Sequence, residues 1–148
     1  MRSSATRTGR SPVATVILPS LPEEAVILIC RFIIDAADPA TTESFLTRAR
    51  RALGLLTAQQ GCLGGQLGRS PDDITRWVLV VQFESVVAYR RALAPFDVRE
   101  HVVPLLSEAL TGEPGSYEVL AEGQRGAVTD HASLLASDAE REFGSGAR

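Results

Sequence analysis

The 148-residue chain contains no lysine and no asparagine. All 15 of its basic side chains are therefore arginines, and Schiff-base chemistry or a lysine general base is excluded. Two cysteines, Cys30 and Cys62, are too few for a disulfide framework and lack CxxC spacing. Both read as buried apolar fillers. No charge of one sign dominates either. A net charge of −3 gives no electrostatic reason to expect nucleic acid or an anionic membrane as a partner. No apolar run reaches the roughly 18 residues that a membrane span needs. Val13 to Leu18 is short and closed by Pro19, which makes a poor signal-peptide core. A cytoplasmic location is expected by default.

What is present fits one domain with tails. Residues 1–22, rich in Arg, Ser, Thr and Pro, read as a flexible arm in which Val13 to Leu18 could add an edge strand. The domain spans 23–121. Ala25 to Ile34 is nearly continuous in apolar and β-branched residues, the pattern of a strand buried on both faces. Phe45, Leu46, Ala49, Leu53 and Leu56 recur at helical spacing, so a helix is expected from about Thr41 to Ala58, with Thr41 or Thr42 as its N-cap. Gly61 to Ser70 is a glycine-rich second strand. Its glycines do not open a helix and no Lys-Ser/Thr follows, so they suit a bulge or a close backbone approach, not a phosphate loop. Ser70-Pro71-Asp72-Asp73 has turn chemistry, and Thr75 to Glu84 pairs back as a third strand. Ser85 can cap a short helix to Leu93. A further helix is expected from Pro95 to about Ala109, with Val98, Val102, Leu105 and Leu106 inward and a kink or break at Pro104. Ser116 to Ala121 closes the core. Residues 122–148 form a tail that begins as a linker, Glu122 to Gly126. Its Ala132, Leu135, Ala136, Ala139 and Phe143 suggest a short amphipathic helix.

Strand, helix, strand, strand, helix, strand is the split βαβ order, an α+β, ferredoxin-like βαββαβ fold with a four-stranded antiparallel sheet. Right-handed crossovers place both helices on one face. Strands one and three are nevertheless apolar on both sides. Leaving about six to eight branched residues in water would cost about 1.5–3 kcal/mol each. A second sheet is the simplest cover, so a homodimer is expected through Ile27, Ile29, Ile33, Val78 and Val80.

The layout, with QQGCLGGQLGRSPDD, WVLVVQFES and the following VVAYRRAL, resembles the antibiotic biosynthesis monooxygenase family over about residues 24 to 121. The resemblance implies a dimeric α+β barrel with one substrate cleft per protomer, between sheet and helices. Several members oxidise polycyclic phenols or quinols without metal or flavin. The implied activity is a cofactor-independent monooxygenase that takes a small aromatic substrate and O₂ and needs no cofactor. Others degrade haem, but the strand-one asparagine of that branch corresponds to Cys30 here, and its tryptophan to Tyr89. An asparagine that contributes to the site of some oxygenases has no counterpart.

Candidate site residues follow. His101, the only histidine in the core, suits a general base near neutral pH, although such a boundary histidine is also a common structural residue. Tyr89 and Arg91 could steady charge developing on the substrate, while solvated helix faces explain Arg90, Arg91 and Arg99 equally simply. Trp77 could stack on a flat ring or belong to the core. Phe83 and Cys30 complete the apolar wall of the expected substrate-binding cleft, and no metal site is expected. Arg31, inside an apolar strand, is expected in the dimer barrel, bonded to Gln82 or Glu84, because an unpaired buried guanidinium is too costly. The alternative is a non-catalytic dimeric barrel that binds a hydrophobic ligand or a protein partner.

Overall fold

A computed structural model describes residues 20–135. The segment Val13 to Leu18 and most of the expected C-terminal helix lie outside the described residues. The elements run β1 (Val26–Ile33), α1 (Pro39–Thr57), β2 (Cys62–Arg69), β3 (Arg76–Phe83), α2 (Val86–Ala92), α3 (Phe96–His101), α4 (Val103–Ser107), β4 (Ser116–Glu118), β5 (Ala121–Gln124) and β6 (Ala127–Asp130). Strands β1 to β4 form a sheet of order β2-β3-β1-β4. All of its pairings are antiparallel. The fold is the expected ferredoxin-like α+β arrangement.

Alternation along the central strands decides which side carries the core. Val26, Leu28, Cys30 and Phe32 of β1 are buried, as are Trp77, Leu79, Val81 and Phe83 of β3. They pack beneath Phe45, Ala49, Ala52 and Leu56 of α1, Val98 of α3, Val102 at the break and Leu105 of α4. The opposite face carries Ile27, Ile29, Val78 and Val80, half-buried, and Ile33, which is 52% exposed. Two-sided apolarity is therefore real, and the described residues place no helix over one of the two sides.

Several local features follow from sequence chemistry, with corrections. The first helix starts earlier than expected. Its N-cap is Asp38, not Thr41 or Thr42, and the Asp38 carboxylate accepts from the Ala40 N–H at 3.0 Å and the Thr41 hydroxyl at 2.6 Å. Pro39 takes the first helical position, where no N–H is needed. Ser85 caps α2 by accepting from the Ala88 N–H at 3.0 Å. The Pro95 helix is broken into α3 and α4 at Val102, with Pro104 in the first turn of α4. In β2 the register slips between Cys62 and Gly64, a bulge that Gly64 permits at φ +140°. Gly65 faces the backbone directly: a Cβ there would stand 2.7 Å from the Val80 carbonyl oxygen.

The expected linker at Glu122 to Gly126 is instead the start of a hairpin, β5 paired with β6. Arg125 and Gly126 both have positive φ, 52° and 85°, the two-residue turn that matches strand twist. Composition alone hid it, because β6 is exposed throughout and lacks an apolar face. The hairpin is tied down by Glu122, whose carboxylate accepts from the Leu21 N–H at 2.8 Å and lies 3.1 Å from His131 Nε2. The His131 and Glu122 side chains are almost fully buried.

Candidate functional site

The chain between α4 and β4 leaves the edge of β1 and returns to it. Leu110 N–H donates to the Arg31 carbonyl at 2.8 Å, and Ile29 N–H donates to the Gly115 carbonyl at 2.7 Å. Between these two contacts the loop stands away from the strand. The gap is a cleft of about 260 Å³, walled by Cys30, Arg31, Tyr89, Leu106, Thr111 and Glu113 among others. It reaches from the edge of β1 to the underside of α2 and α4, between sheet and helices.

Two of the residues singled out from sequence meet here. Cys30 is buried on the helix side of β1, and desolvation pushes its thiol up from the ordinary range. Tyr89 projects from α2, half-buried, with its ring 5.5 Å from that of Phe83 at a tilted angle. Burial is the main cause that raises the Tyr89 phenol above its ordinary value, and neighbouring Cys30 adds to it. Both groups therefore stay protonated at neutral pH. Tyr89 can donate a hydrogen bond to a ligand oxygen, and the cleft wall stays uncharged around it.

The other candidates are dispersed. Phe83 is fully buried and supports Tyr89 from below without lining the cleft. Trp77 is 9% exposed, packs edge-on against Phe45 at 5.4 Å, and carries the Arg69 guanidinium 5.2 Å over its ring. It lines a separate trough of about 300 Å³ with Arg31, Gly68, Arg69, Arg76 and Val78. Arg91 lines a third depression with Gln59, Glu84 and Ser85, near the end of α1. His101 ends α3, half-exposed, 3.6 Å from Glu100, and is absent from the walls of the Cys30–Tyr89 cleft. Arg31 does not bond Gln82 or Glu84. Its strand register sets it opposite Val78, with Gln82 opposite Ile27. Its guanidinium instead reaches Glu113 in the loop at 2.6 Å. Sequence reading missed Glu113 and the loop, because no local pattern marks a segment that is placed only by its two contacts with β1. Among the described residues no group of three or more His, Cys, Asp or Glu could hold a metal ion. No helix among them is long and apolar enough to cross a membrane.

Residues 34–102 match the family described as antibiotic biosynthesis monooxygenase. The match covers a little under half of the chain. The match runs from the end of β1 to the break after α3, so it includes Tyr89 and stops short of the α4–β4 loop. No curated protein matches the chain. Among solved structures, a variant of SnoaB, a cofactor-independent oxygenase from Streptomyces nogalater, aligns at TM-score 0.50 and 21% identity, over 75% of this chain and 97% of its own. A conserved protein of unknown function from Bacteroides thetaiotaomicron aligns at 0.54 and 10%, over 66% and 99%. Rv0793 from Mycobacterium tuberculosis aligns at 0.52 and 18%, over 69% and 99%. At these identities the likeness is one of fold.

Proposed function

We propose that this protein is a cofactor-independent monooxygenase acting on a small hydroxy-aromatic or quinol-type substrate, and that it works as a homodimer joined through the open sheet face. The observation that carries the reading is the cleft at the β1 edge, where a protonated Tyr89 meets the apolar side chains of Leu28, Cys30 and Leu106, in a fold whose residues 34–102 match the antibiotic biosynthesis monooxygenase family. At about 260 Å³ the cleft lies just below the usual range of small-molecule sites, roughly 300–1,000 Å³. One or two fused rings suit it better than four.

The chemistry asks little of the protein. An ionised hydroxy-aromatic gives one electron to O₂, and the two radicals combine at a ring carbon. Loss of water then leaves a carbonyl: a CH₂ becomes C=O, one oxygen atom enters the product and the other departs as water. Tyr89 donates to the dioxygen as negative charge develops on it, and Leu28, Cys30 and Leu106 offer the substrate ring an apolar wall. Among the described residues Arg31 and Glu113 are the only charged side chains in the cleft wall, and they pair with each other. The substrate therefore enters ionised or loses its proton to solvent. His101 and Arg91 stand outside this cleft, and the reading assigns them no step.

Oxygen consumption with a panel of anthrones and naphthoquinols tests this. Uptake above the no-protein control is expected for wild type and for His101→Ala. For Tyr89→Phe it should fall by about 10–10³-fold, the scale of losing one preorganised donor. Uptake equal to the control for every substrate would refute the reading. Among the described residues the cleft wall holds no free base, which favours a second reading, a binding module for aromatic ligands without turnover. Ligand binding with no oxygen uptake would select it.

A further inference from the structure

Arg31 and Glu113 face each other across the mouth of the cleft, one on β1 and the other on the loop between α4 and β4. Arg31 leaves β1 on the open sheet face, between Ile29 and Ile33, and reaches Glu113 at the strand edge. In the single chain the two side chains are 45% and 61% exposed, and ion pairs of that exposure hold only weakly. The loop touches β1 through Leu110 and Gly115, at its two ends. Glu113 lies between these contacts, beside Gly112, where a Cβ would meet nothing within 4 Å. The strand adds a second donor. In an antiparallel strand a residue turns its N–H and C=O to the same edge. The Arg31 carbonyl accepts from Leu110, on the loop side, so the Arg31 N–H points into the same gap. A guanidinium and a backbone N–H thus converge at one end of a cleft whose remaining wall is apolar or neutral, with Tyr89 further in.

We propose that Arg31 is the anion-recognising residue of this cleft, and that Glu113 occupies its guanidinium until an acidic group of the ligand displaces it. The ligand class is then a hydroxy-aromatic anion. Its carboxylate or comparable oxyanion sits on Arg31, and its ring lies along Leu28, Cys30 and Leu106 toward Tyr89. This rests on the reading of the cleft as the ligand site and adds which chemical class enters it. Replacing one carboxylate by another keeps the guanidinium paired throughout, so the exchange exposes no lone charge. A planar guanidinium is also suited to a bidentate carboxylate.

The test is titration calorimetry of the full chain with 1-hydroxy-2-naphthoate and with the corresponding primary amide, which has the same rings and no charge. Wild type is expected to bind the carboxylate about tenfold or more tighter than the amide, the scale of a hydrogen bond to a charged group. Arg31→Gln should bring that ratio to near one by weakening the carboxylate alone. Glu113→Gln leaves Arg31 in place and removes its competitor, so carboxylate affinity should rise about two- to fivefold, with the amide unchanged. Equal binding of the two compounds to wild type would overturn the inference while leaving the cleft a ligand site. An unchanged ratio in Arg31→Gln would do the same. Binding of neither compound would take down the ligand-site reading and this inference together.

Discussion

Replacing Val80 by arginine separates a free sheet face from a covered one. Val80 sits mid-strand in β3, opposite Ile29 of β1 and Gln66 of β2, on the side of the sheet that the helices leave bare. It is half-buried in the single chain. There a long side chain can lay its methylenes over Ile29 and hold its guanidinium in water, a change worth within about 0.5 kcal/mol. In a dimer joined face to face the same position is dry. Two-fold symmetry then brings two arginines into one interface, each with an effective desolvation cost of several kcal/mol. At about 3 kcal/mol apiece, the dissociation constant rises about 10⁴-fold, since ~1.4 kcal/mol is a factor of ten. Sedimentation equilibrium over low to high micromolar concentrations reads the result. Wild type should sediment as a dimer of a 15.8 kDa chain and Val80→Arg as a monomer, with the far-UV spectrum unchanged. A wild type that remains a monomer throughout, or a Val80→Arg variant that dimerises like wild type, would refute the reasoning.

Two further outcomes follow from the core and the cleft. Phe45 is 1% exposed and touches the rings of Phe32 at 5.1 Å and Trp77 at 5.4 Å; Phe45→Ala should cost about 3–5 kcal/mol in urea unfolding, and a loss under 1 kcal/mol would mean that this aromatic cluster does not anchor α1 to the sheet. Cys30 and Tyr89 both have folded-state pKa values raised above their ordinary 9.0 and 10.0, so the folded state holds these protons more tightly than the unfolded state. Their contribution is complete below pH 9 and is lost as pH climbs through the raised values. Unfolding free energy should therefore fall above pH 9, and the double variant Cys30→Ala, Tyr89→Phe should flatten that decline.

The legible part of this protein is the part governed by local periodicity. Alternation in AVILICRFII and TRWVLVVQFE gives the two central strands with both faces apolar, because neighbouring side chains in a strand point to opposite sides whatever the rest of the chain does. Helical spacing in Phe45, Ala49 and Leu56 gives α1, and Pro104 gives the break between α3 and α4. Asp38 was missed as a cap because three candidate capping residues, Asp38, Thr41 and Thr42, lie within one turn. The hairpin at Ala121–Asp130 was missed because its strands are polar and exposed, so no pattern separates them from a linker.

Sequence alone determined the α+β class, the run of strands and helices along the chain, the sides of β1 and β3 that meet the helices and the apolar surplus on the other. All of these follow from residue spacing along a single segment. The assembly of the cleft was decided only by tertiary structure. Tyr89 of α2 meets Cys30 of β1 across the cleft, and Arg31 pairs with Glu113, 82 positions away. His101 and Arg91 are kept apart from both. Contacts of that range depend on how rigid elements pack in three dimensions, a quantity that no local pattern carries.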